Sequence, residues 1–298
     1  MRTTAPKKPF FSLILATIHR ENELEHFLKT IATQEEKDFE LLIIDQNDPK
    51  YLEKLLSRWQ SILPIRHFFS EPGLSKARNI GLRHANGEVI CFPDDDCWYP
   101  QSLLSNLKTL FCEHPNIDGF TGMCVDATGA PSVCKWPQEP SLIDRYSVWK
   151  KSVSISIFIR KKISDQIGGF NESLGVGAPT PYQSGEETDF LLKALKLGAK
   201  IKYQPQIKVG HENPTPQFHS KAIKRGLLYG HGMGYVLSYH DYPISFVLTK
   251  LLRPFGGMLI YFAVLRFRQA QFHWNVFKGR LSGYLHQKIA SRHVMKIS

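Results

Sequence analysis

A chain of 298 residues, 42% hydrophobic and 22% charged, has ordinary globular composition and room for one large domain or two modest ones. Its net charge of +11 does not by itself imply a polyanionic partner: nine of the 38 Lys and Arg lie after Asp241, where no acid occurs, leaving 29 against 27 acids up to and including it. The 5 cysteines form no CxxC pair and are odd in number, which argues against a disulfide framework or zinc site and suits a reducing compartment.

Arg2, Lys7 and Lys8 ahead of apolar Phe10–Ile18 resemble the start of a signal peptide. No small-residue cleavage site follows, and His19-Arg20-Glu21-Asn22 opens an amphipathic pattern, so Phe11–Thr17 is expected to be a buried strand. Leu24, Phe27, Leu28 and Ile31 recur at helical spacing across Asn22–Thr33. A strand is expected over Phe39–Ile44, ending at Asp45, then a helix over Tyr51–Ile62 and a strand over Ile65–Phe69. A third helix over Ser75–Ala85 and a strand over Val89–Phe92 follow. This alternation predicts a Rossmann-like, mostly parallel α/β sheet with flanking helices, whose ligands gather beyond the carboxyl ends of the strands. Further on, Phe120–Val125 and Ser152–Ile159 read as strands, separated by a Gly- and Pro-bearing excursion over Asp126–Trp149. Glu187–Leu197 reads as a helix, Lys200–Tyr203 and Ile207–Gly210 as two short strands, and the chain from about Ser220 as helical.

Asp94-Asp95-Asp96 stands directly after an apolar strand. Three adjacent carboxylates repel unless a cation or donor groups hold them, and oxygen ligands of this kind suit Mg²⁺ or Mn²⁺ completed by nucleotide phosphates. The bland reading is a solvated turn that caps the next helix.

Gly73-Leu74-Ser75-Lys76-Ala77-Arg78-Asn79, Gly81-Leu82, Gly87-Glu88-Val89-Ile90-Cys91-Phe92 and the Asp triplet together resemble the central block of family 2 glycosyltransferases. The resemblance implies a GT-A fold in which the acidic cluster is a DxD motif. Asp96 would ligate the metal and Asp94 the metal or ribose, with Asp95 able to share either role. It extends to Ser12–Arg20, where Ala16-Thr17 replaces the usual Pro-Thr, and to Asp45 as a reader of the nucleobase, with Gln46-Asn47-Asp48 in place of Asp-Gly-Ser. Thr17 and Arg78 would contact the donor; for Arg78 and Asn79, packing on the helix surface is the alternative. Gly185-Glu186-Glu187-Thr188-Asp189, after the loop Gly175-Val176-Gly177-Ala178-Pro179, resembles the family's ED motif. That implies a catalytic base at Glu187, with Glu186 as the alternative; a helix N-terminus also favours acids on its own. His211 would join the metal near the diphosphate. Gly230-His231-Gly232-Met233-Gly234 lacks the Lys and Ser of a phosphate loop, and close packing is reason enough for its glycines.

In the tail, Leu248–Leu252 and Phe255–Phe267 are apolar but interrupted by Arg253, Pro254 and Arg266, which favours an in-plane amphipathic helix pair over a span of about 20 apolar residues. The expectation is thus a GT-A catalytic domain over 1–239 and a basic, apolar tail over 240–298 that holds the protein peripherally at the cytoplasmic face of the cell membrane. The expected reaction is inverting transfer from a nucleotide-diphosphate sugar to a glycan or lipid-linked acceptor, in cell-surface polysaccharide or glycolipid assembly. A catalytically silent sugar-nucleotide-binding protein is the competing reading. A nucleic-acid-binding protein fits less well, because Asp94–Asp96 and Glu186–Glu187 would face a polyanion.

Overall fold

In the computed structural model, residues 8–213 and 218–294 are described, with side chains as far as residue 289; Arg2, Lys7, Arg292 and Lys296 therefore contribute no described side chain. The apolar runs pair first. Strands β1 (Phe11–Thr17) and β2 (Phe39–Asp45) are buried at every position and lie parallel in register from Phe11↔Phe39 to Thr17↔Asp45. β3 (Ile65–Phe69) and β4 (Val89–Cys91) extend this sheet in parallel on its two sides. Helices α1 (Glu21–Ala32), α2 (Glu53–Trp59) and α3 (Leu74–His84) make the crossovers, α1 burying the expected Leu24, Phe27, Leu28 and Ile31.

Past β4 the pairing turns mixed. β5 (Cys97–Trp98), α4 (Leu103–Glu113), β6 (Gly119–Val125), β7 (Ser141–Leu142), α5 (Val148–Lys151), β8 (Ile157–Arg160) and α6 (Lys161–Ile167) follow in the chain. Then come α7 (Glu186–Lys196) and β9 (Ile201–His211), and the sheet order is β3-β2-β1-β4-β8-β6-β9-β5, with β7 also on β9. β8 runs antiparallel to β4 and β6, and β5 antiparallel to β9. The parallel sheet read from the sequence is therefore its β3-β2-β1-β4 half.

Three expected elements are corrected. Ser152–Ile159 is not one strand: Ser154–Ser156 form a 3-10 turn after α5, and pairing starts at Ile157. Lys200–Tyr203 and Ile207–Gly210 are one strand, β9, because a register shift between Thr121 and Met123 of β6 absorbs the residues around Pro205. The third correction lies in the tail and is given below.

By contacts the chain forms two compact units. The first, residues 1–72, 76–170 and 190–214, holds the sheet. Its core includes Phe92, Phe170 and Phe190, the last two stacked at 4.5 Å. Within it, Glu40 of β2 is buried yet satisfied: Ser12 Oγ (2.7 Å) and the Asn86 amide (2.6 Å) donate to it, and Arg66 pairs with it at 2.7 Å. Burial alone would raise the Glu40 carboxyl, but these bonds outweigh it and hold it below the ordinary range.

The second unit, residues 73–75, 171–189 and 215–298, carries three long helices, α8 (Ser220–Tyr239), α9 (Ile244–Ala263) and α10 (Phe267–Val294). α8 and α10 run parallel and touch backbone to backbone. A Cβ on Gly234 would stand 2.1 Å from the Arg280 carbonyl, one on Gly279 2.2 Å from that of Leu227, and one on Gly283 2.1 Å from that of His231. Close packing is thus what these glycines serve. The tail correction is that α9 continues unbroken through Arg253 and Pro254. Proline cannot donate to the carbonyl four residues back, that of Lys250, but the Arg280 guanidinium does. α9 is long and apolar enough to cross a membrane by length and composition alone.

Candidate functional site

The parallel register sets β1 and β2 side by side at their carboxyl ends, and the chain leaving β4 bridges Ala16 to Asp94. Three consecutive carboxylates thus gather there, Asp94 against Arg78, and Asp95 and Asp96 sharing Arg20. Asp94 Oδ1 meets Arg78 Nη2 at 2.9 Å; Arg78 is fully buried, its guanidinium 5.5 Å from the Phe170 ring centre. Asp95 accepts from Thr17 Oγ1 at 2.7 Å and Arg20 Nη1 at 3.1 Å. Asp96 is held by Arg20 and faces His211 Nε2 at 3.5 Å.

His211 arrives by sheet geometry: Cys97 of β5 pairs with it at the end of β9, and the Trp98 indole lies where a Cβ on Gly210 would be, 1.9 Å away. Glycine at 210 therefore lets β5 close on β9 and sets Asp96 beside His211. Burial drives the Asp95 carboxyl up to about 7, against the pull of Thr17 and Arg20. Burial would raise Asp96 as well, but its bonds from His211 and Arg20 prevail and hold it at about 2. The Asp96 bond raises His211.

Asp94, Asp96 and His211 offer the oxygen and nitrogen donors that Mg²⁺ or Mn²⁺ accepts, so the donor chemistry fits such an ion. Among the described residues no three His, Cys, Asp or Glu side chains converge on one point, because Asp94 turns to Arg78 and Asp95 to Thr17 and Arg20. The protein's share of a cation shell would rest chiefly on Asp96 and His211.

Asp45 is fully buried at the end of β2, where Asn47 donates from its backbone (2.9 Å) and side chain (2.7 Å) and His67 Nε2 lies 3.1 Å away. Burial would raise its carboxyl, but these bonds lower it. Asn79 clasps the Phe170 backbone through both amide atoms. Arg20 and His67 were not singled out from the sequence. A charged residue just past a strand carries no signal of its own, and His67 reaches Asp45 only through the β2–β3 register.

In the helical unit, Glu186, Glu187 and Asp189 open α7 after Gly185, whose φ of +89° is the left-handed turn that glycine permits. Glu186 is buried, its Cδ 3.2 Å from where a Cβ on Gly175 would stand; Glu187 is half-buried. Asp189 is fully buried and bonded to His240 Nε2 at 2.8 Å. Ser184 Oγ donates to the Tyr229 carbonyl (2.8 Å), and Gly232 leaves room for the Ser184 backbone, so α8 fixes the turn that presents these acids.

A model of the family "Glycosyl transferase family 2" matches residues 12–170. A curated relative, an uncharacterized glycosyltransferase of Haemophilus influenzae, is 27% identical over 216 residues, 70% of this chain and 69% of the relative. Among solved structures, residues 1–349 of TarS from Staphylococcus aureus superpose with a TM-score of 0.61 at 17% identity, covering 93% of this chain and 92% of that one; TarS is also solved with UDP-GlcNAc. The mannosyltransferase PcManGT of Pyrobaculum calidifontis, solved with GDP-Man and Mn²⁺, gives 0.60 at 16% identity, covering 95% and 88%. At these identities the superpositions establish the fold, a GT-A sheet with a C-terminal helical region.

Proposed function

The chain belongs to glycosyl transferase family 2, and from that premise we propose that it moves a sugar from a nucleotide-diphosphate donor to a hydroxyl acceptor with inversion, in the assembly of a cell-surface glycan. The observation that carries the reading is the row of three carboxylates at the end of β4, each matched to a basic group. TarS and PcManGT, which share the fold, bind UDP-GlcNAc and GDP-Man, and this supports a nucleotide sugar as donor. A divalent ion on Asp96, His211 and Asp94 would neutralise the donor diphosphate and stabilise the leaving nucleotide. Asp95, buried and bonded to Thr17, would stay out of that role. Buried Asp45, braced by His67 and Asn47, orients the strand end that meets the nucleobase.

Glu187 is the proposed base, because Glu186 is packed away by Gly175 and Asp189 is committed to His240. It takes the proton of the acceptor hydroxyl as that oxygen bonds to the anomeric carbon. The bond from that carbon to the diphosphate breaks on the opposite face and the nucleoside diphosphate departs. Thermal-shift titration with UDP- and GDP-sugars plus Mn²⁺ identifies the donor, since a ligand of the native state raises its melting point. Glu187→Gln is expected to keep that shift and lose about 10²–10⁴-fold in turnover. A dead Glu186→Gln beside an active Glu187→Gln moves the base by one residue. Donor binding with no transfer by the unaltered protein leaves a silent binding module.

A further inference from the structure

Large apolar side chains crowd the turn from α9 to α10 without cover. Leu259, Ile260, Phe262, Val264, Leu265 and Phe267 are all more than half exposed, Leu265 at 73%. Leu265 also holds a left-handed φ of 57°, a conformation that costs a non-glycine residue energy and here presents a leucine to water. Arg266 and Arg268 stand exposed among them, and no Asp or Glu occurs in α9 or α10.

We infer that this turn is a wedge that enters the headgroup and upper acyl layer of an anionic bilayer and does not cross it. The inference goes beyond the transfer reaction and does not depend on it. Three observations select a bilayer as the occupant. A second copy would set Arg266 and Arg268 against their own duplicates, which like charge disfavours. The surface is an exposed helix-to-helix turn of aliphatic and phenyl groups, which suits a fluid apolar layer that needs no shaped pocket to receive it. Trp274, partly exposed on α10, lies seven residues from Phe267, about 10 Å along the helix, which is the depth expected of an interfacial element and marks the level where an indole prefers to rest.

A crossing by α9 is opposed by its neighbour. Val247, Leu251 and Pro254 of α9 are buried, Tyr261 stacks on His273 of α10 at 5.2 Å, and Arg280 of α10 binds the Lys250 carbonyl. A spanning α9 would drag α10 in with it, and Arg268, Lys278 and Arg280 would enter the hydrocarbon. At the tip, by contrast, Arg266 and Arg268 can turn their guanidinium groups back to lipid phosphates while their stems stay in the apolar layer.

The test is co-flotation of the full chain with vesicles of phosphatidylcholine alone or with about 30% phosphatidylglycerol. Binding to the anionic vesicles is expected to be at least about tenfold tighter. Phe262→Ser with Leu265→Ser is expected to weaken it about tenfold or more, as is Arg266→Gln with Arg268→Gln. All four positions are exposed, so an unchanged melting temperature shows that each variant folds. A polarity-sensitive dye attached through Leu265→Cys, with Cys112→Ser and Cys134→Ser, is expected to shift to the blue on binding and to stay protected from a quencher sealed inside the vesicles. Quenching from the lumen would overturn the wedge in favour of a span. Unaltered flotation of the Ser variants would overturn it, and so would an anionic preference that survives loss of both arginines. Self-association in the absence of vesicles that the Ser variants abolish would assign the surface to a second copy.

Discussion

In the sheet unit Arg78, Asp95 and Glu40 lie inside the fold with a partner of opposite charge or a hydrogen bond at hand, whereas the helical unit leaves apolar side chains at its tip in solvent. The two units are also built differently. In the first, backbone ladders set the register and side chains then find one another; in the second, helices approach until their backbones touch and glycine is the condition of contact. A substitution should therefore fail for different reasons in each: lost electrostatic pairing in the sheet, steric refusal in the helices.

The largest expected effect is in the helices. Gly234→Leu sets a side chain against the Arg280 backbone and should cost about 4 kcal/mol, beyond ordinary overpacking, because the obstacle is main chain. Hydrogen exchange should quicken in α8 and α10 while β1 and β2 keep their protection; equal loss in both units would break the comparison. Next comes Arg78→Leu, which leaves the Asp94 carboxylate without its partner. About 2–4 kcal/mol is expected from urea unfolding, less than for a fully buried pair because the Asp94 side chain is 33% exposed. A neutral result would mean that Arg78 is packing and not a counter-charge.

The smallest effect is Glu40→Gln, about 1–2 kcal/mol at pH 7. The carboxyl of Glu40 is lower in the folded protein than its ordinary 4.5, so its contribution is full above that value and fades as pH falls through the folded one. The wild type and Glu40→Gln should therefore converge in melting temperature in acid. A gap that persists there would show that the loss is one of shape.

The same contrast explains what could be read in advance. β1 and β3 were legible to the residue, β1 as a mostly apolar run ending at Thr17 and β3 as a short run between Pro64 and Ser70, and the Asp triplet was legible because three carboxylates in a row need a reason. Val153 and Ile155 looked like strand residues, but Ile155 buries its side chain from a 3-10 turn, a choice made by tertiary packing. Lys200–Tyr203 and Ile207–Gly210 read as two strands, and only the neighbouring strand shows the bulge that joins them. Pro254 looked like the end of a helix, and the residue that rescues it, Arg280, is far along the chain. The Arg20 bridge likewise depends on distant groups meeting. Local pattern reveals elements; long-range partners decide where elements persist.

The glycine contact between α8 and α10 has a mechanical consequence. Gly226, Gly230 and Gly234 recur every four residues on one helix, and Gly279 and Gly283 do so on the other. A slide of one or two residues would bring Leu227, Leu228, Val236 or Leu281 into gaps that admit only hydrogen, so the next permitted register is four residues away, about 6 Å. Thermal motion can bend the pair but has no small sliding step open to it. A displacement applied at the α10 end of the pair is thus carried as a rigid translation along α8, whose backbone fixes the Ser184 turn ahead of Glu186 and Glu187.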